Sequence, residues 1–231
     1  MSILKISNLT KKYKDVVAVN NMSLMIGEGR IVGLLGPNGS GKTTLIKTIA
    51  GLLTADGGNI EVCGNSLSEK SKQLISYLPD KNFLCEWMTV KQMMDYTKDF
   101  FPDFRTERAL EMIHNLGIDE KKRIKTLSKG TKEKVALIIA MSRDAKLYLL
   151  DEPIAGVDPA ARDYVIKTII NNYSQESTVI ISTHLIYNVE QVLSDVIFIN
   201  NGKIVLEGQV DDIRMKERKS IDELFREVFR C

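Results

Sequence analysis

The stretch from Gly36 to Thr44 constrains the fold of this chain more than any other. It is a glycine-rich loop of the pattern G-x-x-x-x-G-K-T, preceded by the apolar run Ile31 to Leu35 and followed by the amphipathic run Leu45 to Leu53. A strand, a glycine-rich loop and a helix in this order form a phosphate-binding unit of α/β proteins. The alternative is a glycine-rich turn that matches the pattern by chance, and the flanking strand and helix patterns disfavour it. The sequence therefore predicts an α/β fold that binds a nucleoside triphosphate.

The loop predicts a specific set of phosphate contacts. Glycine lets the backbone turn its N–H groups toward an anion, and the N-terminus of the following helix favours negative charge. Lys42 is predicted to reach the β- and γ-phosphates, and the Thr43 hydroxyl to take a position next to Mg²⁺. The predicted nucleotide-binding residues are Asn38, Gly39, Ser40, Gly41, Lys42, Thr43 and Thr44.

Two later apolar runs end in residues that carry chemistry. Lys146 to Leu150 is followed by Asp151 and Glu152, and Thr178 to Ser182 is followed by Thr183 and His184. Continuous apolar runs are typical of strands buried on both faces of a parallel sheet, and ligands bind at the carboxyl ends of such strands.

The three polar side chains have distinct predicted roles. Asp151 belongs in the Mg²⁺ shell, and Glu152, pointing another way, is placed to act on an attacking water. His184 is a candidate to contact the γ-phosphate or that water. The alternatives are a solvated acidic turn for the two carboxylates and a structural role for the histidine; His114 is interpreted as structural.

The remaining segments differ in their sequence patterns, which predict further strands and helices. Short strands separated by glycine and asparagine predict a small antiparallel sheet, at Ile3 to Ile6, Ser23 to Ile26 and Asn59 to Val62. Met88 to Phe101 and Thr106 to Leu116 have helical spacing and predict a helical insertion, with Thr89 and Thr106 as predicted N-caps. The methionine and aromatic residues there are interpreted as core, with a partner-facing patch as the alternative; they are Met88, Met93, Met94, Tyr96 and Phe100. Further predictions are a strand at Ile75 to Leu78, a helix at Lys132 to Met141 capped by Ser128, a hairpin across Asn200 to Gly202, and a helical tail from Val210 to Phe229.

Composition excludes several classes of protein. With 32 basic and 30 acidic residues, the chain has no strong positive field, so nucleic acid is not expected as a partner. Three widely spaced cysteines fit neither a disulfide framework nor a zinc site and favour a reducing compartment. No run reaches the roughly 18 apolar residues of a membrane-spanning helix. If the protein works at a membrane, another chain is expected to cross it.

Taken together, these motifs resemble those of the ATP-binding subunits of ABC transporters, over practically the whole chain. Gly36 to Thr44 resembles the Walker A loop, Leu147 to Asp151 the Walker B strand, and Leu127 to Thr131 the signature motif. The resemblance implies that Glu152 is the catalytic base and His184 the switch histidine. By the same resemblance, Tyr13 stacks on adenine, Ser128 and Gly130 contact ATP on a partner subunit, and Asp158 lies at the dimer contact. Taken alone, Tyr13 reads as a half-buried strand residue and Asp158 as a helix N-cap.

Two positions depart from the family pattern. The usual signature is Leu-Ser-Gly-Gly-Gln, whereas Lys129 and Thr131 occupy its third and fifth positions here. The Lys-Gly version of the motif resembles the one carried by bacterial peptide and antibiotic exporters and immunity transporters. Lys129 is either a charge near the partner's phosphates or a solvated side chain. Asp80 stands where the family has a glutamine that touches Mg²⁺ and links ATP to the membrane subunit. A carboxylate still accepts from a metal-bound water, so Asp80 stays a metal candidate while its coupling role is open.

The resemblance implies an architecture of a P-loop ATPase core with a mainly parallel sheet, an N-terminal antiparallel β subdomain and an inserted all-helical subdomain. The predicted boundaries are 1–84 and 144–208 for the core and β subdomain, about 85–143 for the helical subdomain and about 209–231 for a helical tail.

The expected function is a Mg²⁺-dependent ATPase that powers export of peptide or drug-like cargo. The implied partners are a second ATPase subunit, identical or different, and separately encoded permease subunits, at the cytoplasmic face of the membrane. One alternative is an ABC-type ATPase acting on DNA or ribosomes, which the single cassette and near-neutral charge disfavour. The other is a regulatory module that binds nucleotide without hydrolysis, which Glu152 and His184 disfavour.

Overall fold

The computed structural model describes residues 2–154, 157 and 159–229, with the side chains of 159–161 left aside. It contains two sheets, and both agree with the predicted α/β class. The strands are β1 (Ser2–Tyr13), β2 (Val16–Gly27), β3 (Ile31–Leu35), β4 (Gly57–Val62), β5 (Asn65–Ser66), β6 (Ile75–Leu78), β7 (Leu147–Asp151), β8 (Thr178–Thr183), β9 (Asp195–Asn200) and β10 (Lys203–Gln209). The antiparallel sheet has the order β2-β1-β4-β5, and the larger sheet has the order β10-β9-β3-β8-β7-β6.

Helices fill the connections between the strands. They are α1 (Lys42–Ile49), α2 (Glu69–Gln73), α3 (Val90–Phe100), α4 (Thr106–Asn115), α5 (Lys129–Met141), α6 (Pro159–Asn172), α7 (Ile186–Val189), α8 (Val210–Glu217) and α9 (Ile221–Phe229), with 3₁₀ turns at Ile124–Thr126 and Glu190–Val192. Over the ranges 2–154, 157 and 159–229, no helix combines the length and the hydropathy that a bilayer crossing requires.

The larger sheet places its chemistry at one edge. Strands β3, β7 and β8 are buried along their whole length, as their continuous apolar sequences predict. β3 runs parallel to β8 and β9, and β7 runs parallel to β6 and β8, so the carboxyl ends of these strands lie side by side. Among the residues that the structure describes, β9 and β10 are the only antiparallel pair in this sheet. The loop after β3 therefore lies at the same sheet edge as the ends of β7 and β8.

Two hydrophobic clusters stabilise the fold, one on each side of the larger sheet. The first joins the apolar face of α1 to the antiparallel sheet and to residues of β3, β7 and β9. The second joins the opposite face of the sheet to α3–α6 and to the C-terminal helices. The phosphate-loop helix is thus held between the two sheets, because Leu45, Ile46 and Ile49 are all buried there.

Arg143 fastens the inserted helices to the sheet. Its guanidinium is buried and donates to Asp103 from Nε and Nη2, each at 3.0 Å, and to the carbonyl of Ile75 at 2.6 Å. Its Nη2 also donates to the carbonyl of Gln73. The guanidinium carbon, Cζ, lies 3.9 Å from the centroid of the Phe101 ring. One side chain therefore ties the segment between α3 and α4 to the beginning of β6.

The helical insertion differs in one capping residue from the sequence-based expectation. Thr89 caps α3 as predicted, but Thr106 is the first helical residue of α4, and the N-cap, Arg105, makes no side-chain capping bond. The chain turns at Arg105 because its N–H donates to the carbonyl of Ser142 at 2.8 Å, a long-range bond that local sequence does not reveal.

The methionine and aromatic residues of the insertion, which the sequence groups together as core, differ in their exposure to solvent. Met88, Met93 and Met94 are buried in the core, whereas Tyr96 and Phe100 are exposed, with ring centroids 4.8 Å apart. In the segment between β6 and α3, Trp87 is 68% exposed.

The tail also differs from its prediction as one helical run. It forms two helices, α8 and α9, because the chain reverses at Arg218, which has φ of 54°. Their apolar residues pack together against β9, where the rings of Phe198 and Phe225 meet edge to face with centroids 5.6 Å apart.

Candidate functional site

The loop between β3 and α1 has the backbone of an anion cradle. Gly39 and Gly41 have φ of 79° and 109°, which residues with a Cβ rarely adopt. A Cβ at Gly41 would also lie 2.2 Å from the carbonyl oxygen of Ala18, so β2 closes in on the loop from one side. The Ser40 hydroxyl is buried and has no hydrogen-bond partner in the described part of the chain. An unpartnered buried donor in a loop of inward-facing amides is the arrangement that a phosphate oxygen satisfies.

Lys42 lies folded over this loop. Its Nζ donates to the carbonyls of Gly36 at 2.7 Å and Pro37 at 3.1 Å. Burial lowers the pKa of Lys42, and the negative charges of Glu152 and Asp151 act in the opposite direction. The side chain is therefore a buried cation bonded to backbone oxygens and within the field of two carboxylates, ready to pair with a phosphate.

Asp151 connects the strand β7 to the phosphate loop. Its Oδ1 accepts hydrogen bonds from Thr43 Oγ1 at 3.1 Å and from the Ser182 hydroxyl, which faces it across the β7–β8 register. Its Oδ2 is buried without a partner among the described residues. Burial raises the pKa of Asp151, against the lowering effect of the bonds from Ser182 and Thr43. An unpaired carboxylate oxygen beside a threonine hydroxyl is a donor set that suits a hard cation such as Mg²⁺.

Glu152 points away from Asp151, toward His184. Its backbone is in the left-handed region, with φ of 52°, and its N–H donates to the carbonyl of Ser182 at 3.0 Å. His184 Nδ1 lies 3.0 Å and 3.1 Å from the two carboxylate oxygens of Glu152. The structure thus brings together the two residues predicted from the ends of neighbouring strands, and the unusual backbone of Glu152 is what turns its side chain to the histidine.

The predicted residues Tyr13 and Asp80 lie at the edge of the candidate site. Tyr13 ends β1 and is 45% exposed, and Lys11 Nζ lies 5.7 Å from the centroid of its ring. Asp80 is exposed and lines a cavity of about 650 Å³ together with Asp151, Glu152 and Lys129. Its charge is close enough to contribute to the raised pKa of Asp151, although desolvation is the larger cause.

Ser128 and Gly130 lie at the N-terminus of α5. The Ser128 hydroxyl accepts from the N–H of Thr131 at 3.2 Å, which is the predicted cap, and Ser128 and Lys129 are both exposed. A Cβ added at Gly130 would meet no atom within 4 Å. This helix end is therefore open for contact. The predicted Asp158, and Gly156 before it, fall outside the described residues.

Sequence reasoning missed Ser182. It is fully buried, holds the carboxylate of Asp151, and its backbone carbonyl and hydroxyl both accept from the N–H of Glu152, the hydroxyl at 3.1 Å. The available signal was a hydroxyl residue near the end of β8, opposite Asp151 once β7 and β8 are paired in parallel.

The family model described as ABC transporter matches residues 19–155, more than half of the chain, from β2 to the loop after Glu152. This chain belongs to the ABC transporter ATP-binding family. The family assignment confirms the predicted ABC-type ATPase and its nucleotide binding.

Relatives of this ABC protein span most of its length. It is 32% identical over 229 residues to the lipopolysaccharide export system ATP-binding protein LptB of Haemophilus influenzae, covering 94% of this chain and 95% of that protein. It is 31% identical to the uncharacterized ABC transporter ATP-binding protein YxlF of Bacillus subtilis, covering 95% of this chain and 75% of that protein. The lantibiotic transport ATP-binding protein SrtF of Streptococcus pyogenes is 29% identical and covers 96% of both chains.

Solved structures confirm the cassette fold. The structure of the ATP-binding subunit of an ABC transporter superposes with a TM-score of 0.88 at 26% identity, covering 98% of this chain and 99% of that one. A dimeric ATP-binding cassette solved in a post-hydrolysis state with ADP and phosphate has a TM-score of 0.78 at 22% identity, covering 89% of this chain and 98% of that one. At that lower identity the likeness concerns the fold alone.

Proposed function

We propose that this protein hydrolyses ATP at the interface of a head-to-tail dimer and thereby drives a membrane exporter. The observation that carries the proposal is the contact of Glu152 with His184, next to Asp151 and its bond from Thr43. A carboxylate oriented by a histidine, beside a second carboxylate that faces a phosphate loop, has the parts needed for attack of water on a γ-phosphate.

Each residue of the site has a proposed role. Glu152 orients the attacking water and accepts its proton, while His184 donates from Nδ1 to the carboxylate and fixes its direction. Lys42 leaves its carbonyl partners to hold charge on the γ-phosphate, and Tyr13 stacks on adenine. Mg²⁺, when bound, neutralises charge on the phosphate oxygens. Thr43 and Asp151 would hold it, with Asp80 as a further candidate.

The second half of the site is proposed to come from another subunit. Ser128 and Gly130 lie at an open helix N-terminus, which favours an anion, and their hydrogen bonds within the chain are those of the helix cap. In the proposed dimer this terminus contacts the γ-phosphate held by the partner, and Asp158 lies at the dimer contact. The dimeric cassettes of the same fold support this arrangement.

The proposed link to the membrane is a separately encoded permease subunit that binds this protein. Exposed aromatic side chains at Trp87, Tyr96 and Phe100 support a docking surface on the helical insertion. The signature pattern supports a peptide or drug-like cargo, and SrtF is named for lantibiotic transport whereas LptB is named for lipopolysaccharide export. Co-purification from native membranes tests this: recovery of integral membrane subunits supports the proposal, and recovery of none contradicts it.

The test of the catalytic role is Glu152→Gln. The amide keeps the size of the side chain but cannot accept the proton of water, so we expect turnover to be abolished while ATP still binds and traps a dimer. Phosphate release and size-exclusion chromatography with ATP measure the two effects. Glu176→Gln is a matched control, because Glu176 pairs with Lys146 at the surface, and it should leave both unchanged. Normal turnover in Glu152→Gln would refute the assignment of the base.

A further inference from the structure

The segment after His184 has little support of its own. His184 is followed by Leu185 and by α7, a helix of 4 residues. Its local bonds include the N–H of Leu185 to Thr183 Oγ1 at 3.0 Å and the N–H of Asn188 to the carbonyl of Leu185 at 3.2 Å. A helix of one turn is unstable in isolation. Its position, and that of the histidine before it, therefore depends on what it packs against.

Glu190, directly after α7, is bonded to the C-terminal tail. Its Oε1 accepts from Arg214 Nη2 at 2.7 Å, from Arg214 Nε at 3.2 Å and from the N–H of Ile221 at 2.8 Å. Its Oε2 accepts from the N–H of Asp222 at 3.3 Å. Burial alone would raise the pKa of Glu190, but these bonds outweigh it, and the pKa is lowered. The carboxylate is thus a buried anion whose partners all come from α8 and the start of α9.

Apolar packing holds the same two parts together. Ile186 and Val189 of α7 are buried in one cluster with Ile221, Leu224 and Phe225 of α9. Because α7 contacts α9 directly, a shift at the beginning of α9 moves the surface on which α7 rests. Glu190 is the polar connection of this contact, since it caps the first N–H groups of α9.

We propose that Glu190 is a positioning residue for His184, and that through it the tail formed by α8 and α9 sets the geometry of the histidine against Glu152. The proposal rests on the proposed role of His184 in hydrolysis. The bond of Arg162 Nη1 to Asn188 Oδ1, at 3.0 Å, joins α7 to α6 and does not involve the tail. Loss of the Glu190 bonds therefore tilts α7 without releasing it.

The first test is Glu190→Gln. The amide nitrogen that replaces Oε2 cannot accept from Asp222, and the ion pair with Arg214 is lost. Because a displacement of about 1 Å at a catalytic group costs up to about a hundredfold in rate, we expect turnover to fall about tenfold with ATP affinity unchanged. Arg214→Lys, which keeps the charge but loses the forked contact, should give a smaller fall. Glu227→Gln is the matched control in the tail: it removes an exposed pair with Lys219 and should change nothing.

A double-mutant cycle separates this proposal from the function proposed above. If Glu190 acts through His184, Glu190→Gln should have no further effect on the turnover of His184→Ala. An equal fall in both backgrounds, or normal turnover in Glu190→Gln, would overturn the positioning role and leave the role of His184 intact. Normal turnover in His184→Ala would instead refute the role of the histidine itself.

A second readout does not depend on turnover. The chain has two histidines, so the imidazole NMR signals of His184 and His114 can be assigned with one variant of each. Glu190→Gln should move the His184 signals and leave those of His114 in place, while Glu227→Gln should move neither. Unchanged His184 signals in folded Glu190→Gln and Arg214→Lys would overturn the proposal. The NMR result is the decisive one when the turnover of His184→Ala is too low to measure.

Discussion

Asp151 is maintained in a state that folding alone does not favour. Its carboxylate is 1% exposed, and one of its oxygens has no hydrogen-bond partner among the residues described. Burial of a charged oxygen without a partner is destabilising. We therefore attribute this residue to the metal binding proposed above and not to the stability of the fold, which is the usual relation between stability and function at such sites.

Asp151→Asn should separate these two effects. The amide removes the buried charge but can still accept from Thr43 and Ser182 through its oxygen. We expect the nucleotide-free protein to melt about 2–4 °C higher, the shift produced by about 1 kcal/mol in a chain of this size. Added Mg²⁺ and ATP, which should raise the melting temperature of the wild type, should have little effect on the variant. Thermal scans with and without ligand measure both, and a lower melting temperature without ligand would contradict the argument.

The identities of the residues in the site were predictable from the sequence, whereas the orientations of their side chains were only partly so. Asp151 and Glu152 follow an apolar strand, and that pattern was sufficient to predict two carboxylates with different directions. The left-handed backbone at Glu152 and the contact with Ser182 were not predictable, because both depend on the pairing of β7 with β8. Local sequence contains no information about a partner 30 residues away.

Among the elements, the polar joint between the helical insertion and the sheet is centred on one side chain, in addition to the apolar packing of α3–α6 on the sheet. Arg143 connects the linker of α3 and α4 to the start of β6 through a buried guanidinium. The planar fork of arginine matches a carboxylate and stacks on an aromatic ring, which an ammonium group cannot reproduce. The insertion is thus fixed to the core at this point by geometry that is specific to arginine.

Arg143→Lys should destabilise the protein strongly. It loses the stacking on Phe101 and most of the bonds to Asp103 and the carbonyls, which leaves buried oxygens unpaired, and we expect a loss of about 3 kcal/mol. Urea denaturation measures the change. Arg105→Lys is the matched control, because the pair of Arg105 with Asp144 is exposed, and it should cost less than about 1 kcal/mol. Equal effects of the two variants would argue against the joint.

The elements themselves were largely predictable from periodicity and caps. The buried strands β7 and β8, the capped helix α3 and the hairpin of β9 and β10 follow their sequence patterns. The exceptions have tertiary causes. The start of α4 is set by the bond from Arg105 to Ser142, and the tail breaks at Arg218 so that α9 can fold back onto β9.

For the whole molecule, the proposed site is complete only in a dimer. One half consists of the loop around Lys42, and the other of the helix end at Gly130. A head-to-tail arrangement makes each subunit contribute one half to each of two sites. Two variants, each defective in a different half, should therefore complement one another.

The Lys42→Ala variant should bind nucleotide weakly. The Gly130→Asp variant should place a negative charge against the γ-phosphate of the partner. Because the space around Gly130 is open, the second variant should still fold. Each alone should be inactive. In an equal mixture half of the dimers pair unlike subunits and have one intact site of two, so about a quarter of wild-type phosphate release should return. No recovery after mixing would contradict a shared site, and activity of Gly130→Asp alone would contradict the contact in trans.

Trp87 gives this molecule an internal optical probe. It is the sole tryptophan of the chain and is largely open to water, in the segment that leads from β6 to the helical insertion. Indole emission moves to shorter wavelength when water is removed from the ring, because less solvent relaxes around its excited state. Excitation of tryptophan therefore reports on one defined point of the surface, and a protein that covers that point changes the colour of the emitted light without any label.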